Sequence, residues 1–386
     1  MCEQTPYYYI ENDSQIRSLA ADMQGAERIA LDTEADSLHH YFEKTCLIQL
    51  SMNGRNYIVD PLAKIDISSF LSALSQKTLI FHAADYDLRM LRSTFGFRPC
   101  GEIIDTMLAA RLAGDEHVSL VALVEKYVGI MLSKKGRTSD WSRRPLTAEQ
   151  LQYAVDDTRY LELLAERLLG KLKEMDRLTW YQQSVCAVVD ATGSERASVC
   201  REDQWRIRGS SKLGPRQMEL VRRIWLWRES EAQAADLPPF KIMDNYLIIK
   251  LALWADSNGR GSFSRNGPKL PRHCKGERLK KLKEAVAAAW NTQPDELPKR
   301  RKSHPPSLVS RRLTKALKDR CEQIADQVGL PPGLIASRAN LEVIAQVRPA
   351  TLEQAIECSS LLAWQAELVY PVVRDVLSEF DLSADA

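Results

Sequence analysis

No stretch of the 386-residue chain approaches the ~18 uncharged apolar residues that a membrane-spanning helix needs. The longest candidate, around Tyr246–Ala255, is interrupted by Lys250. The first residues, MCEQTPYYYIEND, carry no basic segment followed by an apolar one, so a secretory leader is not expected. A cytoplasmic protein with no membrane partner is the expectation. The eight cysteines are scattered and form no C-x-x-C pair. Structural zinc needs clustered ligands, and a disulfide framework suits a small secreted chain. Neither pattern is present, so the thiols are expected to be reduced. His273–Cys274 is the single tight His/Cys pair and lacks a second pair to complete a metal site. Walker A, H-E-x-x-H and G-x-S-x-G motifs are also missing, which argues against a nucleotide cofactor, a zinc peptidase and a serine hydrolase. No heptad seam marks a coiled coil, and a monomer is expected.

What is present is the composition of a globular protein, 45% apolar and 27% charged, with length for two to three domains. The net charge of +2 hides an asymmetry. Between Ser257 and Arg312 there are fifteen Lys/Arg against four Asp/Glu, and the rest of the chain is correspondingly acidic. Such a stretch fits either a polyanion partner or a solvated linker.

The first ~190 residues mix strand and helix patterns. Arg28–Asp32, Cys46–Ser51, Tyr57–Asp60 and Leu79–Phe81 read as strands, the middle two joined through Asn53-Gly54 as a hairpin. Helices are expected over Asp85–Phe95, Thr106–Ala113 and Ser119–Val128, each followed by glycine. The capping box Thr147-Ala-Glu-Gln150 opens what reads as one amphipathic helix to about Leu169. The sum is a mixed sheet with helices packed on it. From about Gln204 onward the patterns are helical, interrupted by a Gly/Ser/Arg-rich loop over 257–274 and a Pro- and charge-rich linker over 293–306. The expected organisation is an α/β domain over 1–190, a helical unit over 205–292, the basic linker over 293–306 and a second helical unit over 307–386.

Asp32 and Glu34 lie two apart on a strand, so they share one face. Carboxylates held this close repel unless a cation shares them, and hard divalent cations take oxygen ligands. In His82-Ala-Ala-Asp85-Tyr-Asp87, where a strand gives way to a helix, Asp85 is placed to cap the helix, leaving Asp87 able to point elsewhere. Tyr153 and Asp157 are one helical turn apart. Four carboxylates and a phenol in one domain can hold two metals for an in-line phosphoryl displacement.

These three segments resemble, in order, the motifs of the DEDD superfamily of 3′→5′ exonucleases, tyrosine subclass. Ser139-Asp-Trp-Ser-Arg-Arg-Pro-Leu146 before the third motif resembles the ribonuclease D family, and Trp225-Leu-Trp227-Arg228 with Pro238-Pro-Phe240-Lys241 resembles an HRDC domain. Gly329–Arg338 is similar to a more divergent second copy. The resemblance implies a ribonuclease-H-like exonuclease fold followed by two all-α HRDC-like domains. It implies metal ligation by Asp32, Glu34, Asp87 (not Asp85) and Asp157, two Mg²⁺ or Mn²⁺ ions, and a water-orienting role for Tyr153. It further implies release of nucleoside 5′-monophosphates from the 3′ end of RNA, in the trimming of tRNA precursors and other small structured RNAs. A 3′→5′ DNA exonuclease of repair and a non-catalytic RNA-binding scaffold are the alternatives. Lys134, Lys135, Arg143 and Arg144 before the third motif, and Lys280, Lys281 and Lys283 on one helix, are the candidate nucleic-acid contacts.

Overall fold

The structure is a computed structural model and describes residues 5–133, 139–193, 203–258, 267–300 and 307–382. A six-stranded mixed sheet runs in the order β1-β4-β3-β2-β5-β6, with β1 Tyr8–Ile10, β2 Arg28–Ala35, β3 Thr45–Met52, β4 Arg55–Val59, β5 Thr78–Phe81 and β6 Ile103–Asp105. β3 is antiparallel to both neighbours and the remaining pairings are parallel. The β3–β4 hairpin turns on Asn53 and Gly54, both with φ > 0 (50° and 72°), the conformation a two-residue hairpin favours.

Helices α1 Asp13–Gln24, α2 Ser68–Ser75, α3 Ala84–Phe95, α4 Thr106–Leu112, α5 Leu120–Val128, α6 Ala148–Asp156, α7 Leu161–Glu174 and α8 Leu178–Gly193 surround the sheet. One face of β2, with Ile29 and Leu31, packs into the core that contains α3 residues Leu88 and Leu91. The other face is covered by α6 and α7. Leu47 and Ile58 meet Ala154 and Val155 there, while Ala30, Ile80 and Ile104 meet Leu161 and Ala165. The helix expected from Thr147 to Leu169 is therefore two helices. Residues 157–160 break it, and Thr158 Oγ1 lies 2.7 Å from Ser51 Oγ of β3, tying the break to the sheet.

The helix after His82 also departs from expectation. Its N-cap is Ala83 (φ 70°), not Asp85. Asp105 at the end of β6 serves it instead, accepting from Ala83 N (3.1 Å) and Ala84 N (2.9 Å) while capping α4 through Leu108 N (3.0 Å). Asp85 stays half-buried and pairs with Arg89 on the next turn.

The C-terminal half is helical. α9 Pro215–Ala234, α10 Pro239–Ile242, α11 Asn245–Asn258 and α12 Glu277–Asn291 enclose a separate core around Leu220, Ile224, Trp227 and Leu251. α13 Leu308–Val328, α14 Pro332–Ile335, α15 Arg338–Val347, α16 Leu352–Ser359 and α17 Ala363–Leu382 form the second unit. Its core is continuous with that of the α/β layer. Trp364 stacks on Trp180 of α8 (ring centroids 4.8 Å apart) and donates its indole N–H to Ser184 Oγ at 3.1 Å. Among the described residues no helix is long and apolar enough to cross a membrane.

Candidate active site

The C-terminal half of β2 lies at the centre of the sheet, and period-two alternation turns Asp32 and Glu34 toward α6. The break after α6 leaves Asp157 as its C-cap, at the level of these two carboxylates. Oxygens of Asp32, Glu34 and Asp157 lie within 4.8 Å of one another. All three side chains keep part of their surface open, as a site that admits substrate requires.

Asp87 arrives from the opposite layer. It is buried, and its Oδ1 accepts from Thr33 N (3.0 Å) and Thr33 Oγ1 (2.7 Å). Thr33, between the two strand carboxylates, is thus the residue that anchors the fourth one. Sequence reasoning missed it, and its only signal is its place between Asp32 and Glu34. Asp87 stands outside the 4.8 Å cluster but close enough that its charge acts on Asp32 and Glu34.

Burial and then mutual repulsion push Asp32 and Glu34 well above the usual carboxylate range. Burial pushes Asp87 up to about 7, against the lowering effect of the Thr33 hydrogen bonds. None of the leading influences on Asp32 and Glu34 is a lysine or arginine. An all-oxygen, all-acidic donor set with no internal counter-charge fits a hard divalent cation.

Tyr153 rests on Trp141, with ring centroids 6.1 Å apart, and lies close enough to Asp157 for that charge to act on it. Burial first, then the charges of Asp157, Glu34 and Asp32, hold its phenol well above the ordinary value. It is a neutral hydroxyl rather than a ready base. His82 takes no part: its Nδ1 meets Thr106 Oγ1 at 2.9 Å, and burial lowers its pKa.

A family profile described as "3'-5' exonuclease" matches residues 7–173, and one described as "HRDC domain" matches 217–254 and 310–371. A ribonuclease D from Xanthomonas oryzae pv. oryzae is 32% identical over 347 residues, covering 85% of this chain and 89% of its own. The chain belongs to the ribonuclease D family. Another ribonuclease D, from Acidiphilium cryptum, is 28% identical over 366 residues, 93% of this chain and 90% of its own. The crystal structure of ribonuclease D from Escherichia coli shares the fold, with a TM-score of 0.72, 24% identity, and coverage of 97% of this chain and 99% of that one. Membership of the ribonuclease D family makes the protein a hydrolytic 3′→5′ exoribonuclease, with an α/β exonuclease fold followed by helical HRDC domains.

The basic candidates divide. Lys134 and Lys135 lie outside the described residues. Arg144 is not free for RNA. It meets Asp60 through Nε (2.5 Å) and Nη2 (2.7 Å), and donates to the carbonyls of Cys46, Trp141 and Arg143. It is a structural cation, since a guanidinium with its donors committed to protein has none left for phosphate. Arg143 is 83% exposed and bonded to Asp140 at 3.0 Å. On α12, Lys280 pairs with Glu277 (3.6 Å) and Lys281 with Glu231 (3.4 Å), while Lys283 has no ion pair among the described residues. His273 Nε2 donates to the carbonyl of Ile242 at 3.0 Å, and Cys274 is buried.

Proposed function

We propose that this enzyme trims the 3′ ends of tRNA precursors and other small structured RNAs in the cytoplasm, releasing nucleoside 5′-monophosphates. Asp32, Glu34, Asp87 and Asp157 hold two divalent cations, Mg²⁺ or Mn²⁺. The observation that carries this reading is the convergence of Asp32, Glu34 and Asp157 within 4.8 Å, with the neutral Tyr153 hydroxyl near enough for all three charges to act on it. When bound, the cations supply activation of the attacking water and charge stabilisation at the leaving 3′-oxygen. Thr33 fixes one oxygen of Asp87 through two hydrogen bonds. Tyr153 orients the attacking water by its hydroxyl. Trp141 below the ring fixes where that hydroxyl sits. Reduced thiols suit the cytoplasm, and Cys46, Cys274 and Cys321 are all free and buried.

The test uses 3′-labelled single-stranded RNA, a matched DNA strand and a tRNA precursor with a 3′ trailer, each with Mg²⁺ and with EDTA. Metal-dependent release of labelled 5′-monophosphate from the RNAs, and removal of the trailer, are expected. Faster digestion of DNA would overturn the substrate assignment, and binding without release would overturn the catalytic one. Tyr153→Phe keeps the ring on Trp141 and removes the hydroxyl. It should lower kcat by about 10²-fold, the scale of a misplaced reactant. Stabilisation of the variant by Mg²⁺ in a thermal melt should remain. Loss of that stabilisation would place Tyr153 among the groups that organise the metal site.

A further inference from the structure

The loop between β2 and β3, residues 36–44, begins two residues after Glu34. Asp36 is fully buried and organises it. Its carbonyl accepts from His39 N and His40 N, its Oδ1 accepts from Lys44 N, and Lys44 Nζ lies 3.6 Å from its Oδ2. The loop then reaches the first helical unit. Asp236, just beyond α9 and at φ 47°, receives His40 Nδ1 on Oδ2 (2.7 Å) and Tyr41 N on Oδ1 (3.0 Å). Tyr41 packs on the core of that unit and its hydroxyl donates to Glu229 at 3.4 Å. On its other side, His40 Nε2 lies 3.1 Å from Ser142 Oγ, in the segment that leads into α6.

Proton accounting across this chain of contacts has one solution. Asp236 Oδ2 is an acceptor, so Nδ1 must carry a hydrogen. Ser142 has one hydroxyl hydrogen, and it is committed to Asp140 Oδ1 at 2.5 Å. Ser142 Oγ can therefore only accept from His40, and Nε2 must carry a hydrogen as well. Both ring nitrogens donate, which is the imidazolium form. The charges facing it agree. Asp36 Oδ2 is 4.0 Å from Nε2, Asp236 is in contact, and Asp140 lies one bond beyond Ser142. The cations nearby are already paired, Lys44 with Asp36 and Arg143 with Asp140. His39 approaches Asp140 at 3.7 Å, and Glu229 is paired with Arg228 at 2.8 Å. The His40 hydrogen bond is in turn the largest cause holding Asp236 below the ordinary carboxylate range.

We propose that His40, as an imidazolium, is a positioning residue that latches the β2–β3 loop to the first helical unit and to the segment entering α6, and so holds the two halves of the carboxylate site in register for RNA. The strand with Asp32 and Glu34 continues into one latched segment, and α6, with Tyr153 and Asp157 at its end, continues from the other. The same loop holds out Leu38 and Phe42, 48% and 60% exposed. Deprotonation of His40 would set a bare ring nitrogen against an oxygen with no hydrogen to give.

The experiment combines ring-¹⁵N NMR of the full-length protein with amide exchange over residues 36–44, using wild type, His40→Gln and Asp236→Asn. His40→Gln also assigns the His40 signal among the six histidines. The expected result is two hydrogen-bearing ring nitrogens for His40 in the latched protein. Protection of 36–44 should be high in wild type and low in both variants. A singly protonated ring in the latched protein, or equal protection in wild type and variants, would overturn the proposal. Both readouts are independent of catalysis, so they separate failure of the latch from failure of the nuclease reading on which its role toward RNA rests. In the activity assay, His40→Gln should raise KM for RNA and also lower kcat, because the two halves of the site lose their register. An unchanged KM with a loosened loop would overturn the positioning role.

Discussion

Asp32→Asn is expected to abolish nuclease activity while making the metal-free protein harder to melt. The activity loss should reach at least about 10²–10³-fold, the range for removing a group aimed at developing charge. The gain in stability follows from the cluster's electrostatics, because burial and repulsion raise Asp32 and Glu34 above their values in the unfolded chain. Between the unfolded value of ~4 and the raised folded value, the native state binds more protons than the unfolded one. Stability of the metal-free protein therefore falls as pH rises through that interval. For Asp87, raised to about 7, the interval runs from ~4 to about 7. A neutral Asn removes one charge from the cluster, so the melting temperature in EDTA should rise, flatten with pH, and respond less to Mg²⁺. A melting temperature in EDTA that drops below wild type would mean that Asp32 has a cationic partner in the protein and that the cluster is no metal site.

Arg144→Ala should unfold much of the protein's margin of safety without touching RNA affinity. Asp60 is 4% exposed, and both of its oxygens are bonded to Arg144, with Tyr9 and Leu62 N sharing them. Burial alone would raise Asp60, but the Arg144 and Tyr9 hydrogen bonds outweigh it and the net shift is downward. Removing one partner of a buried pair leaves an uncompensated charge and costs about 3–5 kcal/mol. The stabilisation from Asp60 is present above ~4 and is lost as pH falls through its lowered value. Chemical denaturation checks the magnitude, and acid denaturation of wild type against Asp60→Asn checks the sign. If Arg144→Ala instead kept wild-type stability and shallowed the salt dependence of RNA binding by about one charge, Arg144 would be a phosphate contact.

The contrast between Asp32/Glu34 and Arg144 shows where sequence reading works. Alternation is a property of a single strand, so the shared face of Asp32 and Glu34 is visible in three letters. Arg144 looked like any other cation near the third motif because its partner is 84 residues away. The same distance problem hid Asp105, which caps α3 from 22 residues downstream and displaces Asp85 from that role. The break that sets Asp157 at the cluster has neither glycine nor proline over 157–160; it is imposed by the contact of Thr158 with Ser51, a tertiary term that local propensity does not contain. β1 and β6, at three residues each, are too short to show alternation. Asp87 was preferred over Asp85 by family resemblance, and the physical reason, the grip of Thr33, emerges only when the strand and helix are brought together.

The stacked pair Trp180–Trp364 also bears on how the chain is made. Ser184 and the Trp364 indole it accepts from are 180 residues apart. At ~5–20 residues per second, α8 leaves the ribosome roughly ten to forty seconds before its partner helix exists. During that interval the sheet and its helices can assemble, but the tryptophan face of α8 is bare. The nuclease half of the nascent chain therefore waits, sticky on one side, for the last helix to be synthesised, and a ribosome stalled in the linker would leave it so.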